Sequence, residues 1–168
     1  MLKVYIKNLN IQTEGEWVEL PISEDELIDV LNKIGLEEDS EEYFIADTDS
    51  NILGLTEYIN KYDSIETLNE IAEAIDNLYS DDMEILEAML ELGIYSSLED
   101  YVDNIDNWSL YGDVITDYDL GYMLIEEIGC FDIPEELICY IDYERFGRDY
   151  DINASGGFTT HGYLWGDY

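Results

Sequence analysis

Between Ser64 and Tyr79 the carboxylates Glu66, Glu70, Glu73 and Asp76 recur at spacings of four, three and three residues, and Glu84, Glu87 and Glu91 repeat the pattern in the next segment. On a helix such spacings gather the acids on one face, about 4.5 to 6 Å apart along the axis. Like charges so placed oppose helix formation by roughly 0.2 to 0.5 kcal/mol per pair. An ordinary solvent face interleaves lysines; this stretch has none. A row of carboxylates can move protons, ligate cations, or fill a groove built for anions.

Proton transfer lacks its partners. Acid pairs are so common here that no single dyad is informative, and the chain has one histidine, His161, for which a structural or solvent-facing role is expected. No Gly-x-Ser-x-Gly elbow and no glycine-rich phosphate loop ending in Lys-Ser/Thr is present. A negatively charged substrate would be repelled by the whole surface. No enzymatic activity and no cofactor are expected.

Cation ligation fares little better. Asp47-x-Asp49-x-Asn51 begins like a calcium loop but has Ile52 where the sharp turn needs glycine and Tyr58 where a bidentate glutamate belongs. Asp149-x-Asp151-x-Asn153 fails likewise, with Ala154 and Thr160 at those places. Cys130 and Cys139, with His161, cannot complete a zinc quartet, and they read as buried free thiols of a reducing cytoplasm. No dedicated metal site is expected.

Charge decides more than any motif. Asp and Glu number 42 against 6 Lys and Arg, a formal net charge of -36 in 168 residues. Self-repulsion on that scale works against compactness. Duplex DNA carries one charge per about 1.7 Å of axis, so the chain holds the charge of roughly 61 Å of duplex. It has too few cations to neutralise phosphates, which excludes direct nucleic-acid binding, and an anionic membrane surface is excluded on the same ground. The partners left are cations or proteins with basic grooves. Phosphates advance about 3.4 Å along a strand, so two tilted acidic helices could approximate their pattern. Any acidic amphipathic helix shows such spacing, however, so a cation-binding or halophile-type acidic protein stays open as the alternative.

The elements that must carry these residues can be read in order. A hydrophobic fraction of 46% is enough for a folded core. Leu2 to Leu9 and Glu16 to Leu20 read as strands. Ser23 with Glu26 caps a helix running to about Ile34, with Gly35 as its stop, and Glu42 to Ala46 reads as a short strand. Ser64 to Tyr79 reads as a helix with Ile65, Leu68, Ala72, Ile75 and Leu78 on its apolar stripe, followed by helices over Asp81 to Leu92 and Leu98 to Asn104. Ile105 to Asp113 reads as extended with Trp108, Leu110 and Tyr111 inward, Thr116 to Ile128 as a helix, and Gly156 to Trp165 as a hairpin turning near His161-Gly162. Asp132 and Glu135 form a capping-box signature around Pro134, so a helix with Ile133, Leu137, Ile138 and Ile141 on one face is expected there. The fold class is α+β: an elongated chain of three small modules, with a sheet-plus-helix unit over 1–62, a helical acidic unit over 63–104 and a second α+β unit over 105–168. No secretory or membrane-spanning segment is recognisable, so a cytoplasmic protein is expected.

The run Asp132-Ile133-Pro134-Glu135-Glu136-Leu137, the Tyr140-Ile141-Asp142-Tyr143 after it and Gly147-Arg148-Asp149 resemble the antirestriction segment and its continuation in the ArdA family, small acidic proteins carried by conjugative plasmids and transposons. Similarity extends through Ser155-Gly156-Gly157-Phe158 and His161-Gly162, and back to Val4-Tyr5-Ile6 and Glu16-Trp17-Val18. From Ser64 to Tyr101 the chain matches only in being helical and acidic. The resemblance implies an elongated homodimer that imitates bent B-form DNA, occludes the DNA-binding cleft of Type I restriction-modification enzymes at their specificity and modification subunits, and protects an incoming mobile element.

In that reading the phosphate surrogates are Glu66, Glu70, Glu73, Asp76, Glu84, Glu87, Glu91, Asp103, Asp106, Asp113, Asp117, Asp119 and Glu126. The antirestriction segment is Cys130, Phe131, Asp132, Ile133, Pro134, Glu135, Glu136, Leu137, Ile138, Cys139, Tyr140, Ile141 and Asp142. The resemblance associates it with subunit contact, carried over to Cys130, Phe131, Ile133 and Leu137, with Tyr140 beside them. Cys130 and Cys139 depart from the aliphatic or other residues expected at those places.

Overall fold

The computed structural model describes residues 1–11, 15–36 and 42–166. They divide into two compact units, Met1–Met83 with Tyr95–Val102, and Glu84–Ile94 with Asp103–Tyr168. Each combines a three-stranded antiparallel sheet with helices, so the fold class is α+β.

In the first unit the period-two alternation at the N-terminus folds as β1 (Leu2–Asn8), with Leu2, Val4 and Ile6 buried and Lys3, Tyr5 and Lys7 half-exposed. β2 (Glu16–Leu20) and β3 (Tyr43–Ser50) flank it in the order β2-β1-β3, and Val18, Leu20 and Ile45 join the same buried face. Helix α1 (Glu24–Lys33) starts at the expected box: Ser23 accepts the Glu26 N–H at 3.4 Å while the Glu26 carboxylate accepts the Ser23 N–H at 3.3 Å. Gly35, at φ 79°, turns the chain out of it. Buried Asn8 closes this corner, donating to the carbonyl of Ile34 at 3.1 Å and accepting from the Asn10 N–H at 2.8 Å.

β3 runs four residues beyond the Ala46 expected as its end, because pairing with β1 continues: Asp47 lies opposite Tyr5 and Asp49 opposite Lys3. Asp47 and Asp49 of the calcium-like triplet therefore lie on a strand, and Asn51 just past its end. Helix α2 (Ile65–Asp76) is capped by Ser64, whose hydroxyl accepts the Glu66 N–H at 3.2 Å. It buries Ile65, Leu68, Ile71, Ala72 and Ile75, while Leu78 lies beyond its end and is half-buried. Helix α3 (Ser80–Leu92) follows, with Gly93 at φ 63° as its stop, and then α4 (Leu98–Asp103). Tyr101 on α4 is fully buried and donates to the Tyr95 carbonyl at 3.0 Å, with the Tyr58 hydroxyl 2.7 Å away.

In the second unit the stretch expected to be extended from Ile105 begins instead with a 3-10 turn, Ile105–Asn107, and only β4 (Trp108–Tyr111) is strand. Trp108 is buried there, Leu110 and Tyr111 only half so. Helix α5 (Asp117–Tyr122) is capped by Thr116, which accepts the Asp119 N–H at 3.1 Å, and continues through a π-helical turn, Met123–Glu127, before Gly129 ends it at φ 66°. A single turn, α6 (Glu135–Ile138), and helix α7 (Tyr143–Asp151) precede the hairpin of β5 (Gly156–Thr159) and β6 (Gly162–Gly166). The sheet order is β4-β6-β5, and Val114, Leu120, Met123, Leu124 and Tyr163 form the core beside it.

The helix expected from Asp132 through Ile141 is the main departure. Pro134 occupies the cap position with no side-chain bond, so the Asp132–Glu135 box does not form, and the helix stops after one turn. No residue of that turn is buried. Helix formation needs either length or a packed face to offset nucleation, and this stretch has neither. Asp142, the last residue of the segment, caps α7 by accepting the Arg145 N–H at 3.1 Å. Cys130 and Cys139, read as buried thiols, are both free and exposed for the same reason.

Candidate functional site: an acidic surface and an uncovered apolar segment

On α2 the apolar stripe fixes the orientation of the acids. Burying Ile65, Leu68, Ile71, Ala72 and Ile75 turns Glu66, Glu70, Glu73 and Asp76 to solvent, and all four are exposed. Among the described residues no basic side chain pairs with any of them; the ion pairs lie elsewhere, at Lys3–Glu19, Arg145–Asp149, Arg148–Asp117, Arg148–Glu144 and His161–Glu87. Glu84, Asp103, Asp106 and Asp113 are likewise exposed.

The remaining candidate acids make bonds within the second unit. Glu91 on α3 accepts the Thr160 N–H at 3.0 Å and the Thr160 hydroxyl at 2.7 Å, pinning the β5–β6 turn. Those two bonds, the backbone one first, hold its carboxyl below the usual carboxylate range. Glu87, half-buried one turn earlier, sits 3.3 Å from His161 Nε2, which gives the lone histidine a structural place. Asp119 accepts the Thr116 hydroxyl at 2.6 Å and the Ile115 N–H at 3.3 Å, completing the cap of α5. Asp117 receives Arg148 Nε at 3.2 Å. Glu126 accepts the Tyr143 hydroxyl, and that bond, ahead of desolvation and the carboxylate charge, pushes the Tyr143 pKa up to about 12.

The segment Cys130–Asp142 contains no buried residue. Phe131, Leu137 and Tyr140 are 47%, 53% and 82% exposed, an unusual state for large apolar groups in one short run. Ile133, Ile138 and Ile141 are half-buried, while Asp132, Pro134, Glu135 and Glu136 are exposed around them. Phe131 stands edge-on to Phe146 with ring centroids 5.3 Å apart. Both rings, with Asp149, Tyr150, Asn153 and Trp165, line an open cleft of about 460 Å³.

One feature of this surface is only half written in the sequence. Exposed Tyr118 and Tyr122 on α5 and half-buried Tyr143 on α7 form a cluster, with centroids 6.4 Å apart for Tyr118–Tyr122, 5.5 Å for Tyr118–Tyr143 and 5.6 Å for Tyr122–Tyr143. The i, i+4 spacing of the first two was available in the sequence; the arrival of Tyr143 from another helix was not.

Among the described residues no group of three or more His, Cys, Asp or Glu side chains is arranged to hold a metal ion, and no helix is long and apolar enough to cross a membrane. The family model described as Antirestriction protein (ArdA) matches residues 5–165. No curated protein gives a significant match.

Proposed function

The chain belongs to the ArdA family of antirestriction proteins, and from that premise we propose that it inhibits restriction enzymes by imitating bent B-form DNA in the binding cleft of Type I restriction-modification systems. Family membership makes it an inhibitor-type protein whose partners are restriction enzymes. The mimicry is our reading of how it inhibits.

The observation that carries this reading is the exposed row Glu66, Glu70, Glu73 and Asp76 on α2, to which no described cation is paired. A structural role would tie such acids to other elements or to a helix cap, as Glu91 is tied to Thr160 and Asp119 to the cap of α5. Left in water, they cost the helix stability through mutual repulsion and yield nothing until a cationic surface arrives. A cleft that has evolved to bind phosphates supplies lysine and arginine side chains at spacings an acidic helix can meet, and steering by a net charge of -36 accelerates the encounter. Inhibition is then occlusion without chemistry, in the cytoplasm, with no nucleic acid or membrane bound directly.

The same reading makes Cys130, Phe131, Ile133 and Leu137 the contact between two copies. Exposed apolar side chains on a chain otherwise coated with carboxylates give two like-charged subunits a place to meet with little repulsion. Association would double the anionic surface presented to one cleft.

The test is displacement of labelled DNA from a Type I methyltransferase core of specificity and modification subunits. Stoichiometric displacement that weakens steeply with added salt is expected. Inhibition of restriction with the DNA still bound to the core would rule the mimicry out.

A further inference from the structure

We propose that the tyrosine cluster Tyr118–Tyr122–Tyr143 is an arginine-docking site, a place where the basic protein partner sets a guanidinium on an aromatic surface as well as on carboxylates. The inference rests on the occlusion reading above and names the side chain this part of the surface takes.

The cluster is built by the crossing of α5 and α7. Gly121 and Gly147 lie backbone to backbone at that crossing, so Tyr143, at the start of α7, comes down beside the two rings that α5 presents one turn apart. Ring stacking in a protein normally serves burial, yet Tyr118 is 50% and Tyr122 42% exposed. Their planes are nearly parallel, at 17°, and Tyr143 meets Tyr118 edge-on at 74°. The result is an aromatic shelf open to water.

Carboxylates surround that shelf. Glu126 is exposed and accepts the Tyr143 hydroxyl, and a carboxylate offers about four lone-pair sites, of which this bond uses one. Asp117 and Glu144 hold Arg148, a guanidinium of the chain itself, at 3.2 Å and 2.9 Å beside the same helices. A cation docking here finds a π face and a carboxylate together. Of the two cationic side chains arginine fits better: its planar group stacks on rings, is more weakly hydrated, and directs several N–H groups in its plane at acceptors. Lysine, a strongly hydrated point charge, would meet the rings without stacking on them and without a planar set of donors.

An aromatic contact differs from a carboxylate contact in its response to salt. Exposed ion pairs fade as the Debye length shrinks, whereas stacking persists. The shelf therefore confers an arginine preference that outlasts screening, worth about two- to fivefold in affinity for exposed cation–π contact.

The experiment uses the full chain and two probes, an octa-arginine and an octa-lysine peptide, titrated at low salt and at 0.5 M salt, on the order of a 4 Å Debye length. The chain should bind octa-arginine more tightly at high salt, by about two- to fivefold. Tyr118→Leu/Tyr122→Leu should bring the ratio to one, and Tyr118→Phe/Tyr122→Phe should keep it. Nuclear magnetic resonance of the unaltered chain provides a readout independent of any variant's folding: octa-arginine at 0.5 M salt should shift the ring protons of Tyr118 and Tyr122 beyond what octa-lysine does. Equal binding of the two peptides, unshifted rings, or a preference unchanged in a folded leucine variant would each overturn the site. Failure to displace DNA from the methyltransferase core, with peptide selectivity intact, would instead sink the occlusion reading and leave the shelf standing.

Discussion

Gly121 and Gly147 face each other so closely that neither helix at the α5–α7 crossing has room for a side chain. A Cβ on Gly147 would fall 2.8 Å from the Gly121 nitrogen and collide with the Asp117 carbonyl oxygen; one on Gly121 would collide with the carbonyl of Tyr143. Both glycines are buried, and neither adopts a left-handed conformation. Alanine is preferred to glycine inside a helix by about 1 kcal/mol, so an uncrowded Gly147→Ala should stabilise. Here overpacking against backbone, at roughly 1 to 3 kcal/mol, outweighs that gain. Urea unfolding should place Gly147→Ala below the parent chain, and a rise in stability would show that the crossing is looser than described.

The clasp between Glu91 and Thr160 predicts a pH dependence with a definite sign. The folded carboxyl lies below its ordinary value of 4.5, so its ionised form contributes stability that is fully present above the unfolded value and is lost as pH falls through the folded one. Acidification also relieves repulsion among the other carboxylates, so the parent chain alone would not reveal the effect. Glu91→Gln, which keeps an acceptor but does not titrate, isolates it. The parent should be the more stable at pH 7, by roughly 1 kcal/mol or less given solvent screening, with the difference shrinking as pH drops below about 4.5. A pH-independent difference would remove the carboxylate from the explanation.

Local chemistry in this chain was legible and remote chemistry was not. Ser23, Ser64 and Thr116 cap their helices because a hydroxyl and an orphan N–H two or three residues on are fixed by sequence spacing. Gly35, Gly93 and Gly129 stop helices for an equally local reason, their positive φ. Asp132 and Glu135 carry the same signature without forming the box, because Pro134 takes the cap position and no residue of the turn after it is buried. Glu91 meets Thr160 across 69 residues of chain, and α7 reaches α5 through a glycine pair that spacing alone does not relate. The exposed acids on α2 were readable since burial of one helical face dictates the other; their neighbours at Glu87, Glu91 and Glu126 found partners that only the fold supplies.

Neutralising the α2 row should move stability and inhibition in opposite directions. Glu66–Glu70, Glu70–Glu73 and Glu73–Asp76 are like-charged neighbours, each pair costing roughly 0.2 to 0.5 kcal/mol. Glu66→Gln/Glu70→Gln/Glu73→Gln/Asp76→Asn should therefore melt at or above the parent temperature while displacing DNA less well and with a flatter salt dependence. Glu70→Gln alone should change displacement little, because the contact is spread over many carboxylates. If a single neutralisation abolished inhibition in a folded protein, the distributed model would be wrong.

Leu137 distinguishes an uncovered contact from a core. A buried leucine replaced by a polar residue would cost the 2 to 5 kcal/mol typical of core truncation or more, but at 53% exposure Leu137→Asp should leave unfolding within about 0.5 kcal/mol of the parent. If the segment Cys130–Asp142 joins two copies, the same change places a carboxylate in an apolar contact, where its desolvation opposes association. Sedimentation should then show dimers for the parent and monomers for Leu137→Asp at equal concentration, with unchanged circular dichroism. Phe131→Ser should weaken association too but also lower stability slightly, since its ring contacts Phe146 within the subunit. Dimers that persist in Leu137→Asp would move the subunit contact away from this segment.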